Sequence, residues 1–209
     1  MRSLAALPFL ALAVWPSFAF AAEDSWDGGY DAQAERRSGF VASANLGFGM
    51  AAANGYPNEI SKIDDPDFES STGSGFASMN SLWIGGALRD WFTFGLGIAG
   101  LGMKAGDLEA TASGFIFHVE AFPLYSLGGK LRDLALYADF GAGGIVIEGG
   151  PETVDGNFVS FLGAGASFEL FRWGHFALGP TLGGIYAYSD PARAGGVFAG
   201  IRGSFYGGP

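Results

Sequence analysis

Hydrophobic and polar positions alternate along most of this chain with a period of two. The first clear instance is residues 39–51, GFVASANLGFGMA. Phe40, Ala42, Ala44, Leu46, Phe48 and Met50 fall on one face, and Val41, Ser43, Asn45, Gly47 and Gly49 on the other. Successive side chains leave opposite faces of a pleated strand, so this period predicts a strand and not a helix. One face ends in large apolar groups, whereas the other is small or weakly polar. A strand with one wetted face carries clearly polar residues on it. The pattern here suits a strand whose greasy face meets lipid and whose small face lines a narrow lumen.

Seven further segments repeat the pattern: residues 76–88, 92–103, 111–123, 134–147, 157–170, 176–188 and 195–206. The second sets Leu82, Ile84 and Leu88 against Met79 and Trp83, and its facing is ambiguous. In the third the phase slips near Gly100, which predicts a bulge. The fourth sets Phe115, Phe117, Val119 and Ala121 against Ile116, His118, Glu120 and Phe122. Pro180 weakens the seventh locally, because proline cannot donate to the ladder. Each segment is long enough to cross a bilayer at a tilt. Connections after odd strands run to about 24, 7, 8 and 6 residues, and those after even strands to about 3, 10 and 5. That asymmetry matches long external loops and short periplasmic turns. Trp91, Tyr125 and Trp173 sit at the short turns, where an aromatic girdle belongs. The expected fold is all-β: an eight-stranded antiparallel up-and-down transmembrane β-barrel over residues 39–206.

The N-terminus lies outside this pattern. Residues 1–21 read as a secretory signal peptide: Arg2, an apolar run LAALPFLALAV, and an Ala19-Phe20-Ala21 cleavage site. Residues 22–38 read as a polar periplasmic tail, in which the sequence does not place Trp26 or Tyr30. Cleavage removes one of the 11 basic residues and leaves 21 acidic ones, a net charge of −11. A chain this acidic is no general nucleic-acid binder. There is no Cys, hence neither a disulfide framework nor a thiol nucleophile. The 36 glycines show no collagen-like triplet, and Gly95-x-Gly97 and Gly163-x-Gly165 lack the strand–loop–helix context of a phosphate loop.

With its signal peptide, eight alternating strands and loop asymmetry, the chain resembles the small eight-stranded outer-membrane barrels of the OmpA, OmpX and OmpW type across residues 39–206. It departs from them where Phe205-Tyr206 is followed by Gly-Gly-Pro, since such barrels commonly finish on a terminal aromatic. The resemblance implies residence in the bacterial outer membrane, contact with its lipid and lipopolysaccharide, insertion by the barrel-assembly machinery, a monomer, and no cofactor. The role expected is structural or that of a narrow pore, gated or not. A soluble lipocalin-like ligand binder is the alternative if the apolar faces point inward.

Two sets of residues are candidates for chemistry. Glu59, Asp64, Asp65, Asp67 and Glu69 make the densest charge run, in the longest loop; its expected role is a solvated external surface. His118, Glu120, Asp139, Glu169 and Arg202 fall on lumenal faces. Three carboxylates do not stay ionised in a confined lumen without a cation or a proton. The expectation is that Arg202 plugs the lumen against some of them, with His118 as an adjustable partner. The enzymatic alternative is an outer-leaflet lipid-modifying barrel using His118 beside Glu120, but no serine stands at the spacing a nucleophile would need.

Overall fold

The computed structural model describes residues 37–127, 129–150 and 152–208. The expected signal peptide, and the expected tail as far as residue 36, lie outside these. Nine strand segments run in order: β1 (Gly39–Gly55), β2 (Ser70–Arg89), β3 (Phe92–Ala105), β4 (Leu108–Ala121), β5 (Leu134–Glu148), β6 (Val154–Phe168), β7 (Phe171–Trp173), β8 (Phe176–Tyr188) and β9 (Ala192–Tyr206). Neighbours along this order pair antiparallel except β6 and β7, which both pair with β8, and β9 closes on β1. Segments β6 and β7 are thus one barrel strand, interrupted where the Glu169 N–H donates instead to the Asp133 carbonyl at 3.1 Å. The result is a closed eight-stranded up-and-down barrel.

Its polarity is that of a transmembrane barrel. Phe40, Leu46, Phe48 and Met50 of β1 point outward, as do Leu82, Ile84 and Leu88 of β2 and Phe115 and Phe117 of β4. Trp83, Met79, Ile116 and Phe122 point inward and are buried, which settles the facing of β2. A soluble lipocalin-like barrel needs the opposite arrangement, so that alternative is excluded. Trp91 and Trp173 are exposed at the short-turn end.

Two local expectations change. First, no register shift occurs at Gly100 in the pairings of β3 with β2 or β4. The apparent slip arises because Leu101 and Met103 face inward: the interior itself becomes apolar toward the long-loop end. There Met79, Leu101, Met103, Ile145, Ile147 and Phe161 form one buried cluster. A bulge does occur at Phe158, opposite the Gly143–Gly144 step, with φ 57° and its ring projecting into solvent or lipid. Second, the hairpins outrun the alternation. β1 continues to Gly55 and β2 starts at Ser70, so the longest connection spans residues 56–69. Toward the loop end the outward face of this hairpin carries small residues such as Ala52, Ser71 and Gly73, so no apolar alternation announces it. Pairing persists through polar contacts, such as the Thr72 hydroxyl, which accepts from Ala53 N at 2.9 Å and donates to Ala53 O at 3.0 Å.

Close approach dictates one glycine beside the largest interior ring. A Cβ on Gly97 would stand 2.2 Å from the Leu82 carbonyl oxygen and 2.5 Å from Trp83 Cβ. Gly97→Val is therefore expected to destabilise the barrel by at least about 1–3 kcal/mol, read as a lower urea midpoint and loss of the faster-migrating unboiled band in gel electrophoresis. An unchanged midpoint contradicts the packing described.

Candidate functional site

The inward polar residues gather in the short-turn half of the barrel, because the inward positions of the other half are apolar. Arg202 reaches inward from β9, flanked across its two ladders by Asn45 and Gly179. Its guanidinium meets Glu120 of β4 in a two-pronged contact: Nη2 donates to Oε2 at 2.7 Å, and Nη1 donates to Oε1. Ser167 accepts from Nη1 at 3.1 Å, while Ser43 and Ser204 accept from Nε at 2.9 and 3.2 Å. Thr93 donates to the carboxylate at 3.0 Å and Ser167 at 3.3 Å. Both charged groups are buried, so the pair rests on this full set of hydrogen bonds.

His118 and Asp139 are cross-strand neighbours on β4 and β5, with Nδ1 and Oδ1 2.6 Å apart. The imidazole lies between two rings, 4.3 Å from Trp83 and 5.6 Å from Tyr137. Its Nε2 has no hydrogen-bond partner among the described residues.

Glu169 does not bond to Arg202. It closes the short-turn end of the lumen with Arg37, a residue the sequence assigns to the polar tail. Arg37 is buried. Its Nη2 donates to Glu169 Oε2 at 2.6 Å and to Asp133 Oδ1 at 2.8 Å, and Nη1 donates to the Asp90 carbonyl at 3.1 Å. Its backbone N–H donates to Asp90 Oδ1 at 2.7 Å, and its guanidinium lies 3.5 Å from the centre of the Phe122 ring. Arg172 adds a second cation to Glu169 at 2.9 Å, and the Tyr206 hydroxyl donates to the same carboxylate. Burial disfavours the charged Arg37, but the Glu169 charge and the hydrogen bonds to Glu169 and Asp133 outweigh it. The pKa is held above its ordinary value. Near the rim, the hydrogen bond from the Tyr125 hydroxyl to Asp90 Oδ2 at 2.9 Å, with some desolvation, raises the Tyr125 pKa.

The five candidate lumenal residues therefore fall into three groups and not one: Arg202 with Glu120, His118 with Asp139, and Glu169 with Arg37. Arg37 and Asp133 were missed because they precede the strands they serve. A signal was present. Arg37 has the parity of the inward Val41 and Ser43, and Asp133 that of the inward Ala135 and Tyr137.

The loop acids do not converge. Lys62 bonds Glu59 at 3.1 Å and Glu152 at 2.7 Å, tying two loops together. Asp65 accepts from Asp67 N at 3.1 Å to cap the short turn Pro66–Phe68, and Glu69 accepts from Asn54 at 3.4 Å. Asp64 sits in a left-handed backbone conformation, φ 68°. Among the described residues, no three His, Cys, Asp or Glu side chains gather as metal ligands would.

No family profile matches the sequence, and no curated protein matches it. Solved structures do. Neisserial surface protein A (NspA) is 14% identical with a TM-score of 0.45, over 78% of this chain and 95% of that one. Ail, the attachment invasion locus protein of Yersinia pestis, is 13% identical with a TM-score of 0.44, over 78% and 99%. The outer membrane protein OprG from Pseudomonas aeruginosa is 8% identical with a TM-score of 0.39, over 81% and 97%. At such distances the barrel assignment rests on this chain's own closed register and facing.

Removing Arg37 leaves Glu169 and Asp133 short of their shared cation in a buried place. Arg37→Ala is expected to cost about 3–5 kcal/mol. Arg37→Lys should recover only part of this, because an ammonium cannot reproduce the fork that spans both carboxylates. Urea unfolding in detergent micelles measures both; wild-type stability in Arg37→Ala contradicts the arrangement. For Tyr125 the sign is set by the raised pKa. The hydrogen bond to Asp90 contributes fully below the unfolded value of about 10 and is lost as pH rises through the raised folded one. The difference in phenolate absorbance between wild type and Tyr125→Phe should therefore appear above the ordinary tyrosine range.

Proposed function

We propose that this chain is an outer-membrane protein with a sealed structural barrel that presents an acidic loop surface outside the cell. The observation that carries the proposal is the filled interior. Two ionic layers, at Arg37–Glu169 and at Arg202–Glu120, lie in series with an apolar layer built from Met79, Leu101, Met103, Ile145, Ile147 and Phe161. A cavity lined by Asn45, Tyr137 and Asp139 has room of about 20 Å³ for the centre of a water molecule, enough for one water. Eight strands leave an interior that side chains fill. The outward apolar band, the exposed Trp91 and Trp173 at the short-turn end, and the signal-like residues 1–21 support export to the outer membrane with the short turns on the periplasmic side. The proposed partners are outer-membrane lipid, lipopolysaccharide and the barrel-assembly machinery, with the protein as a monomer.

The narrow pore is less favoured than the sealed barrel, because opening it requires breaking the ion pairs and also wetting the apolar layer. The lipid-modifying reading is not supported by the geometry: His118 is enclosed between Trp83 and Tyr137, away from the lipid-facing surface.

Planar-bilayer recording tests the proposal. Wild-type protein is expected to show no unitary conductance. Arg202→Ala alone should also stay closed, as should Phe161→Ala with Met79→Ala, because two of the three layers remain in each. Conduction is expected only when Arg37→Ala is added to both, so that no layer remains. Steady unitary currents from the wild type overturn the sealed barrel, and an altered lipid A acyl pattern in cells making the protein would revive the enzyme.

A further inference from the structure

The boundary between the polar and apolar halves of the interior carries an unmet hydrogen-bonding demand. Asn45 of β1 is buried, with 8% of its surface exposed. Its Nδ2 donates to Ser81 Oγ at 3.0 Å, whereas its Oδ1 has no partner among the described residues. Asn45 and Asp139 both line the interior cavity, together with Ser81, Tyr137 and Gly163. Glycine makes the room: a Cβ on Gly163 would stand 3.1 Å from Asp139 Oδ2. Asp139 Oδ1 is already engaged by His118.

We propose that this cavity is a binding site for one structural water, which donates one hydrogen to Asn45 Oδ1 and the other to the Asp139 carboxylate. The chemistry selects the occupant. The Asn45 oxygen and the carboxylate are both acceptors, so the occupant must be a double donor. The room of about 20 Å³ exceeds the roughly 10–15 Å³ that one water needs. A bare hard cation requires more oxygen ligands than are offered here, where the Ser81 hydroxyl already serves Asn45. Buried polar atoms in folded proteins are almost always satisfied, by ordered water where no protein group reaches. The bound water ties β1 to β5, strands that are not neighbours in the sheet. It marks the level above which the interior is dry. The Tyr137 hydroxyl is also unpartnered and lines this cavity, so it is a third polar group within the water's surroundings, whereas the unpartnered His118 Nε2 and Trp83 Nε1 belong to residues that do not line it.

A high-resolution crystal structure of the full mature barrel tests this, with a second crystal soaked in a thallous salt. The expected result is a single rounded density peak within hydrogen-bond distance of both Asn45 Oδ1 and Asp139, with no anomalous signal after the soak. Asn45→Leu, which fills the room with a side chain of similar size and no acceptor, should fold and lose the peak. An empty wild-type cavity overturns the proposal. So does a thallium peak, which makes the site one for a monovalent cation. Persistence of the density in Asn45→Leu shows that Asn45 does not hold it.

Discussion

The constraint on which the rest of this structure depends is the narrowness of a closed eight-stranded sheet. Closure leaves no free edge, and the enclosed space admits little more than the inward side chains themselves. Every other strand residue must fit that space, so many inward positions are small, and the largest inward ring, Trp83, is faced by Gly97. Most of the large apolar residues of the strands are left to occupy the outside. An outward apolar band follows from interior volume as much as from lipid, and the two requirements select the same alternation.

Narrowness also dictates how charge is arranged. In water an exposed ion pair contributes little, but within this barrel each charge is desolvated and must be matched. Arg202 is matched by Glu120 and four hydroxyls contribute to the pair, whereas Arg37 is shared between Glu169 and Asp133. Buried pairs of this kind are not a large net source of stability compared with apolar packing. Their effect is that partial opening strands a charge, which makes opening costly. The apolar layer toward the long loops works differently: it offers water nothing to bind. In the proposed sealed barrel, ionic and apolar layers are barriers of unlike kind in series.

Much of this was legible in the sequence. Period-two alternation is a direct consequence of strand geometry, so it survives without tertiary information. It located all eight strands and the outward faces of β1 and β4. It failed where its physical cause ended. Above the lipid, Ser70 to Gly75 pair as strand with no apolar face to announce it. Near Gly100 an apolar interior looked like a slip of phase, because Leu101 and Met103 break the rule that inward means small. The partners of the lumenal charges were the least legible part. Depth along tilted strands is not encoded in residue number, so Glu169 looked equivalent to Glu120 although only Glu120 meets Arg202. Arg37 lay before the first periodic residue, and only its parity connected it to the lumen.

Thiol accessibility tests the sealed lumen most directly, since the chain has no cysteine of its own. Single variants Ser43→Cys and Ser167→Cys place a near-isosteric thiol inside the barrel, and Ser71→Cys places one beyond the lipid. With the protein folded in lipid vesicles, a membrane-impermeant maleimide is expected to label Ser71→Cys rapidly. The two lumenal thiols should stay unreacted until the barrel is unfolded. Rapid labelling of Ser43→Cys or Ser167→Cys in the folded protein would contradict a filled interior and show that water passes where these side chains are packed.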